Sequence, residues 1–302
     1  MTSHRYRDLN DLYKMQELLV SVRPEEYLSN HPSPEGLREL LELKHIQHNT
    51  NLYFDGEELI AFGIIDKRYS NFYFELKDIK DKSLFARMLQ EAERTLSNAN
   101  SDAETIDTSC LESDEIRYAI LQESGFEIQD GKTLRLERKL SKTFQNIVLP
   151  KGFKIRSFKS KEEMPAFIEL HQAANKSETM SAQERETWQN HPDYDVELDL
   201  VVEAPDGSLA AYCFTQIEDS TGFTDPIATH PKYQRMGLAR ALINKAFQLL
   251  KERGIKTAAL TTSSENQVAL QVYKSLGFEI TWSKAWFAKP LTQDDIKKKV
   301  NR

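Results

Sequence analysis

Cysteine is scarce in this chain: Cys110 and Cys213 are the two thiols among 302 residues, and neither stands in metal-ligand spacing. That leaves no disulfide framework and no zinc signature, so no metal is expected and a reduced cytoplasmic setting is the default. Long apolar runs are missing too. Nothing approaches the roughly 20 residues that cross a bilayer, and the opening "MTSHRYRDLNDLYKMQELL" lacks the apolar core of a secretory signal. A surplus of basic residues is also lacking. The net charge of −7 argues against a nucleic-acid surface and is compatible with a cationic amine substrate. The basic tail Lys297 to Arg302 reads as a solvated helix end. What is present is the composition of a soluble globular protein, 39% hydrophobic and 29% charged, long enough for two domains.

The two halves echo each other. "TNLYFDGEELIAFGIIDK" and "ELDLVVEAPDGSLAAYCFTQIED" each carry an Asp-Gly hairpin signal, at Asp55-Gly56 and Asp206-Gly207. Each is followed by a helix, a strand, another helix and the string "GFEI". Gly56 lies 69 positions before Gly125, and Gly207 lies 70 before Gly277. Two copies of one α/β unit are expected, each a mixed sheet with helices on both faces. Turn residues place the boundary at 141–151, between a domain over 1–140 and a domain over 152–302.

In the second copy, "FTDPIATHP" reads as a strand ended by Pro231. Leu238, Ala241, Leu242, Ala246, Leu249 and Leu250 then form a helical stripe with Gly254 at its end. Residues 234–239 are therefore a strand-to-helix turn. Gly237 stands where a capping Ser or Asp would be usual, which suits either a plain tight turn or free N–H groups offered to a phosphate. The Rossmann fingerprint and the Gly-Lys-Ser/Thr of a P-loop are both missing.

A second cluster, "NQVALQVYKSLGFEI", puts Asn266, Ala269 and Tyr273 near one helix face ahead of Gly277-Phe278. "QRMGLA" at 234–239 together with N-x-x-A-x-x-V-Y-x-x-x-G-F at 266–278 resembles the GNAT (Gcn5-related N-acetyltransferase) superfamily, over roughly residues 152–287. The resemblance implies tandem domains, each a mostly antiparallel mixed sheet flanked by helices. It implies acetyl-CoA as co-substrate, with Gln234, Arg235, Met236, Gly237, Leu238 and Ala239 around its pyrophosphate. Ile227, Ala228 and Thr229 would pair with the pantetheine arm and acetyl carbonyl, and Asn266 and Ala269 would border the same arm. Tyr273 would be the general acid at the thioester sulfur. Such chemistry needs fixed donors for the oxyanion and a proton for the departing thiolate, and it needs no acyl-enzyme, so Cys213 reads as a core residue. Asp225 is the candidate general base, with a structural carboxylate as its other reading. His230 reads as a cap of the turn. His171, His191, Trp188 and Tyr194 fall in the region that forms the substrate wall in such enzymes, or are ordinary helix and surface residues.

The first copy departs from this pattern. Counted from the shared glycines, Leu121 stands for Tyr273 and Asp114 for Asn266. At the turn, Ser83, Leu84 and Phe85 stand opposite Gly237, Leu238 and Ala239. Asp81, Asp114 and Glu115 would repel a polyanion. Residues 1–140 are expected to keep the fold without the cofactor site, an architecture that resembles the tandem mycothiol synthases. The function implied is acetyl transfer to a primary amine of a small molecule or peptide by direct attack, that is, an acyltransferase moving groups other than aminoacyl. Two alternatives stand beside it: a non-catalytic acyl-CoA-binding or sensor module, and a protein-modifying enzyme whose partner docks on the first domain. Acceptor and oligomeric state stay open.

Overall fold

A computed structural model describes residues 1–24, 27–28, 32–97, 103–140, 146, 148–176, 180–190, 194–218 and 220–291. His191, the Trp188 side chain, most of the linker 141–147 and the basic tail lie outside the described residues.

The first half runs β1 (Thr2–Arg5), α1 (Leu9–Val22), α2 (Pro34–Glu42), α3 (Lys44–His48), β2 (Thr50–Asp55), β3 (Glu58–Asp66), β4 (Asn71–Leu76), α4 (Lys82–Leu96), β5 (Thr105–Leu111), α5 (Glu115–Glu123) and β6 (Glu127–Lys139). The second half repeats that order with two α-helices where the first has three, as β7 (Lys154–Ser157), α6 (Met164–Asn175), α7 (Ala182–Gln189), β8 (Asp199–Glu203), β9 (Leu209–Glu218), β10 (Thr221–Thr229), α8 (Leu238–Glu252), β11 (Thr257–Ser263), α9 (Gln267–Ser275) and β12 (Glu279–Pro290). Both Asp-Gly pairs turn as expected: Gly56 (φ +60°) joins β2 to β3, and Gly207 (φ +84°) joins β8 to β9.

Alternation along the strands puts apolar side chains on both faces of each sheet, because each face must receive helices. In the second half, Leu200, Val202, Ala211 and Cys213 pack with Leu238, Leu242 and Ala246 of α8. Their neighbours Val201 and Tyr212 point the other way, onto Phe167 and Leu170 of α6. In the first half, Phe85, Met88, Leu89 and Ala92 of α4 cover Phe72, Phe74 and Ile106.

The compact units do not divide at 141–151. One comprises Met1–Lys132 with Lys284–Arg302, the other Thr133–Ser283. In the first, residues 284–290 of β12 pair antiparallel with β5; in the second, residues 133–139 of β6 pair antiparallel with β11. The last strand of each copy thus completes the sheet of the other. The repeat explains why the sequence hides this. Both strands follow a "GFEI" segment, and ladder hydrogen bonds do not distinguish one copy's edge from the other's. A fragment ending at residue 140 lacks the strand that covers β5 and is expected to give an unfolded or aggregated product by circular dichroism and size-exclusion chromatography. Adding residues 284–290 through a linker is expected to restore folded signal.

Candidate active site in the second unit

The site forms where the second sheet parts. β10 and β11 run parallel and pair at Thr221–Thr257, Gly222–Ala258 and Phe223–Ala259, after which no pairing continues. β11 goes on pairing with β6 as far as Ser263, while β10 stays with β9 and slips register between Thr224 and Ile227. Ile227, Ala228 and Thr229 are thereby left with an open edge toward the gap. Thr261 Oγ1 donates to Asp225 Oδ2 across the throat at 3.3 Å.

At the mouth, His230 caps a short turn by accepting from the Lys232 N–H at 3.1 Å, the role the sequence suggests. Arg235 (φ +64°) and Gly237 (φ +79°) then both take left-handed backbone before α8 begins. Gly237 is the N-cap without a side-chain hydrogen bond, and a Cβ there would meet nothing within 4 Å. Among the described residues, no hydrogen bond engages the N–H groups of residues 235–240. A helix start with unsatisfied donors and the positive end of the helix dipole is a ready anion site. Glycine serves here because it accepts positive φ, supplies no capping oxygen and leaves the space beside the amides open.

A cavity of about 770 Å³ joins turn and gap. Every residue the sequence nominates for the cofactor lines it except Met236, as does Tyr273, whereas Asp225 does not. Asn266 spends Oδ1 capping α9 by accepting from the Ala269 N–H at 3.1 Å. Tyr273 is buried, and burial, with the Asp225 carboxylate and the Cys213 thiol adding to it, holds its phenol protonated well above the ordinary range. Asp225 is exposed at the residue level, yet the protein around its carboxyl raises it to about 6, partly opposed by the Thr261 hydrogen bond. Cys213 is fully buried, its thiol pushed up to about 12 by burial, as a core residue would be.

Other side chains land differently. Tyr194 donates to Asp199 Oδ2 at 2.7 Å, and Asp199 pairs with Arg185 of α7, both fully buried. Tyr194 is therefore an anchor for α7 and not an exposed wall. His171 Nδ1 lies 2.7 Å from the Tyr212 hydroxyl with the rings 5.8 Å apart, which ties α6 to β9. The sequence misses Asn175 of α6 and Arg240 of α8, which also line the cavity. Arg240, in the first turn after Gly237, was findable as a cation at an anion site. Asn175 carries no local signal, because α6 reaches the gap through packing on residues distant in the chain, among them Val201, Tyr212 and Ala228.

The first unit closes the equivalent turn. Its helix start is Asp81, whose carboxylate accepts from the Leu84 N–H at 2.9 Å and the Ser83 hydroxyl at 2.8 Å. The caps thus place Asp81 opposite Gly237. Phe85 is buried in the core and does not crowd the turn, as counting from the sequence suggests it would. Leu121 does replace Tyr273 at a buried position, and Asp114 caps α5 as Asn266 caps α9.

A mixed sheet that parts at its parallel strand pair, repeated twice along the chain, defines the class: a tandem α/β protein of the acetyltransferase fold. Residues 164–278 match the Acetyltransferase (GNAT) family. [Ribosomal protein bS18]-alanine N-acetyltransferase of Escherichia coli (strain K12) is 40% identical over 74 residues, 24% of this chain and 49% of that protein. Mycothiol acetyltransferase of Thermobifida fusca is 29% identical over 128 residues, 39% of this chain and 38% of that one. The chain thus spans half or less of the length of these curated relatives. A GCN5-related N-acetyltransferase from Sphaerobacter thermophilus has the same fold over 96% of this chain and 95% of its own, with a TM-score of 0.80 at 18% identity.

Proposed function

We propose that the second unit binds acetyl-CoA and transfers its acetyl group to a primary amine by direct attack. The observation that carries this reading is the row of N–H groups at 235–240, which have no hydrogen-bond partner among the described residues and line a cavity continuous with the gap that Tyr273 borders. The diphosphate would meet those amides, with Arg235 and Arg240 beside them. The pantetheine arm would follow the open edge of Ile227, Ala228 and Thr229. The neutral amine attacks the thioester carbonyl, N–C forms, and the oxyanion is met by backbone donors of that edge. On collapse C–S breaks, the thiolate takes the Tyr273 proton, and the proton shed by the attacking nitrogen as it becomes the amide returns to the phenolate. Asp225, directly or through water, accepts the proton that the incoming ammonium loses. Two buried free thiols are in keeping with a reducing compartment, and no described helix is long and apolar enough to cross a membrane.

Thermal unfolding with acetyl-CoA, followed by thioester consumption with a peptide bearing N-terminal alanine and with a panel of small amines, tests the reading. The stabilisation is expected with acetyl-CoA, and turnover is expected with at least one acceptor class. Stabilisation without turnover on any of them would favour an acyl-CoA-binding module instead.

The base has its own signature. A carboxylate raised to about 6 must lose its proton to act, so kcat/KM should climb through pH 6 and level off above it. Asp225→Asn is expected to lower the plateau by about 10²-fold and to remove that limb. An unchanged profile would reduce Asp225 to its bond with Thr261.

A further inference from the structure

The first unit opens its sheet at the same point as the second. β4 and β5 pair at Asn71–Asp107 alone, and beyond it lies a cavity of about 360 Å³. Its lining is different in kind. Glu75 and Ile227 each stand 50 positions before the shared glycines, and Arg117 and Ala269 each stand eight before them. An aliphatic gap has become an ionic one.

Glu75 is fully buried and accepts from Arg23 Nε at 2.8 Å and from the Arg117 guanidinium. Arg117 also donates to the Phe74 carbonyl at 3.0 Å and to Asp114 Oδ2 at 3.1 Å, and its Cζ lies 4.9 Å from the Phe74 ring centroid. These bonds use three of its five N–H groups, leaving two among the described residues. Two part-buried guanidiniums thus face two carboxylates, the buried Glu75 and the partly exposed Asp114. Lys284 is the cation left over. It is buried opposite Leu111, a residue of the cavity wall, and burial and the Arg23 charge push its ammonium down to about 8. Guanidinium donors left over beside an open cavity, with a buried ammonium behind its wall, favour an anionic occupant.

We propose that this cavity is a separate ligand site, taking a small organic carboxylate whose charged end pairs with Arg117 and whose apolar body lies against Val22, Tyr73 and Ile79. Arg23 and Arg117 each hold one oxygen of Glu75, and a guanidinium with N–H groups to spare suits a second carboxylate. Long phosphorylated ligands are excluded, because Asp81 occupies the helix start that would hold them. Amines are disfavoured because both carboxylates of the wall, Glu75 and Asp114, are already paired with arginine.

Isothermal titration and saturation-transfer NMR on the full chain at neutral pH test this, with phenylacetate, phenylacetamide and phenethylamine as probes. Phenylacetate is expected to bind, the amide at least 10-fold more weakly, and the amine not at all. Arg117→Gln is expected to weaken phenylacetate at least 10-fold. Since that change touches the Glu75 network, Ile79→Trp serves as a second variant that fills the cavity from a surface turn and leaves the ion pairs in place. It should abolish binding with an unaltered melting midpoint by circular dichroism. Absence of phenylacetate binding, equal binding of phenethylamine, or undiminished binding in a folded Ile79→Trp chain would each overturn the proposal.

Discussion

Tyr273→Phe is expected to lower kcat by about 10²–10⁴-fold while the thermal stabilisation by acetyl-CoA stays the same. The range is that of a positioned general acid. The reason for separating the two readouts is geometric. The ring of Tyr273 belongs to the core with Phe278, Phe247 and Leu270, so phenylalanine keeps the packing and removes only the hydroxyl. Burial and the Asp225 and Cys213 groups raise the phenol, so at neutral pH it holds its proton and is available as a donor to a leaving thiolate. No hydrogen bond to a protein group engages that hydroxyl among the described residues, which leaves it free to serve a substrate atom in the gap. Steady-state kinetics with a saturating amine, beside a thermal-shift titration, measures both quantities. Full activity in the phenylalanine variant would remove Tyr273 from the mechanism without touching the binding reading.

Gly237→Glu is expected to erase the acetyl-CoA stabilisation altogether, a loss of about 2.7 kcal/mol for ligand at 100 times its Kd. Two effects combine. An L-residue at φ +79° costs about 1–2 kcal/mol, and a carboxylate placed beside the amides of residues 235–240 competes for those donors and repels a diphosphate. Gly237→Ala separates them. A Cβ at this position meets nothing within 4 Å, so alanine should lower the melting point of the free protein by its backbone strain and keep most of the ligand-induced shift. If the glutamate variant retains the full shift, the diphosphate does not sit at this turn. If alanine loses the shift as completely as glutamate, backbone conformation and not charge governs the site.

Much of this site was legible in the chain because its signals are local. A glycine in place of a capping side chain, the stripe from Leu238 to Leu250 and the Asn266 cap each depend on residues within one or two helical turns. Backbone sterics and the 3.6-residue period act at that range. The same holds for the two Asp-Gly hairpins and for the equal spacing of the two "GFEI" segments. The location of the gap was not legible. It depends on where β10 and β11 stop pairing, and nothing in "FTDPIATHP" or "AALTTS" states that Phe223–Ala259 is the last ladder pair.

By itself, then, the sequence determined two copies of one α/β unit, a glycine at the helix start of the second, and Leu121 in the first where the second has Tyr273. Only the tertiary structure decided which strand completes which sheet, that Asp81 shuts the first turn by capping and not Phe85 by bulk, and that Glu75, Arg23 and Arg117 meet in the first gap. The physical reason is common to all three. Each is a pairing between groups far apart in the chain, chosen by which edges and charges fold into reach, and no local period or propensity encodes that choice.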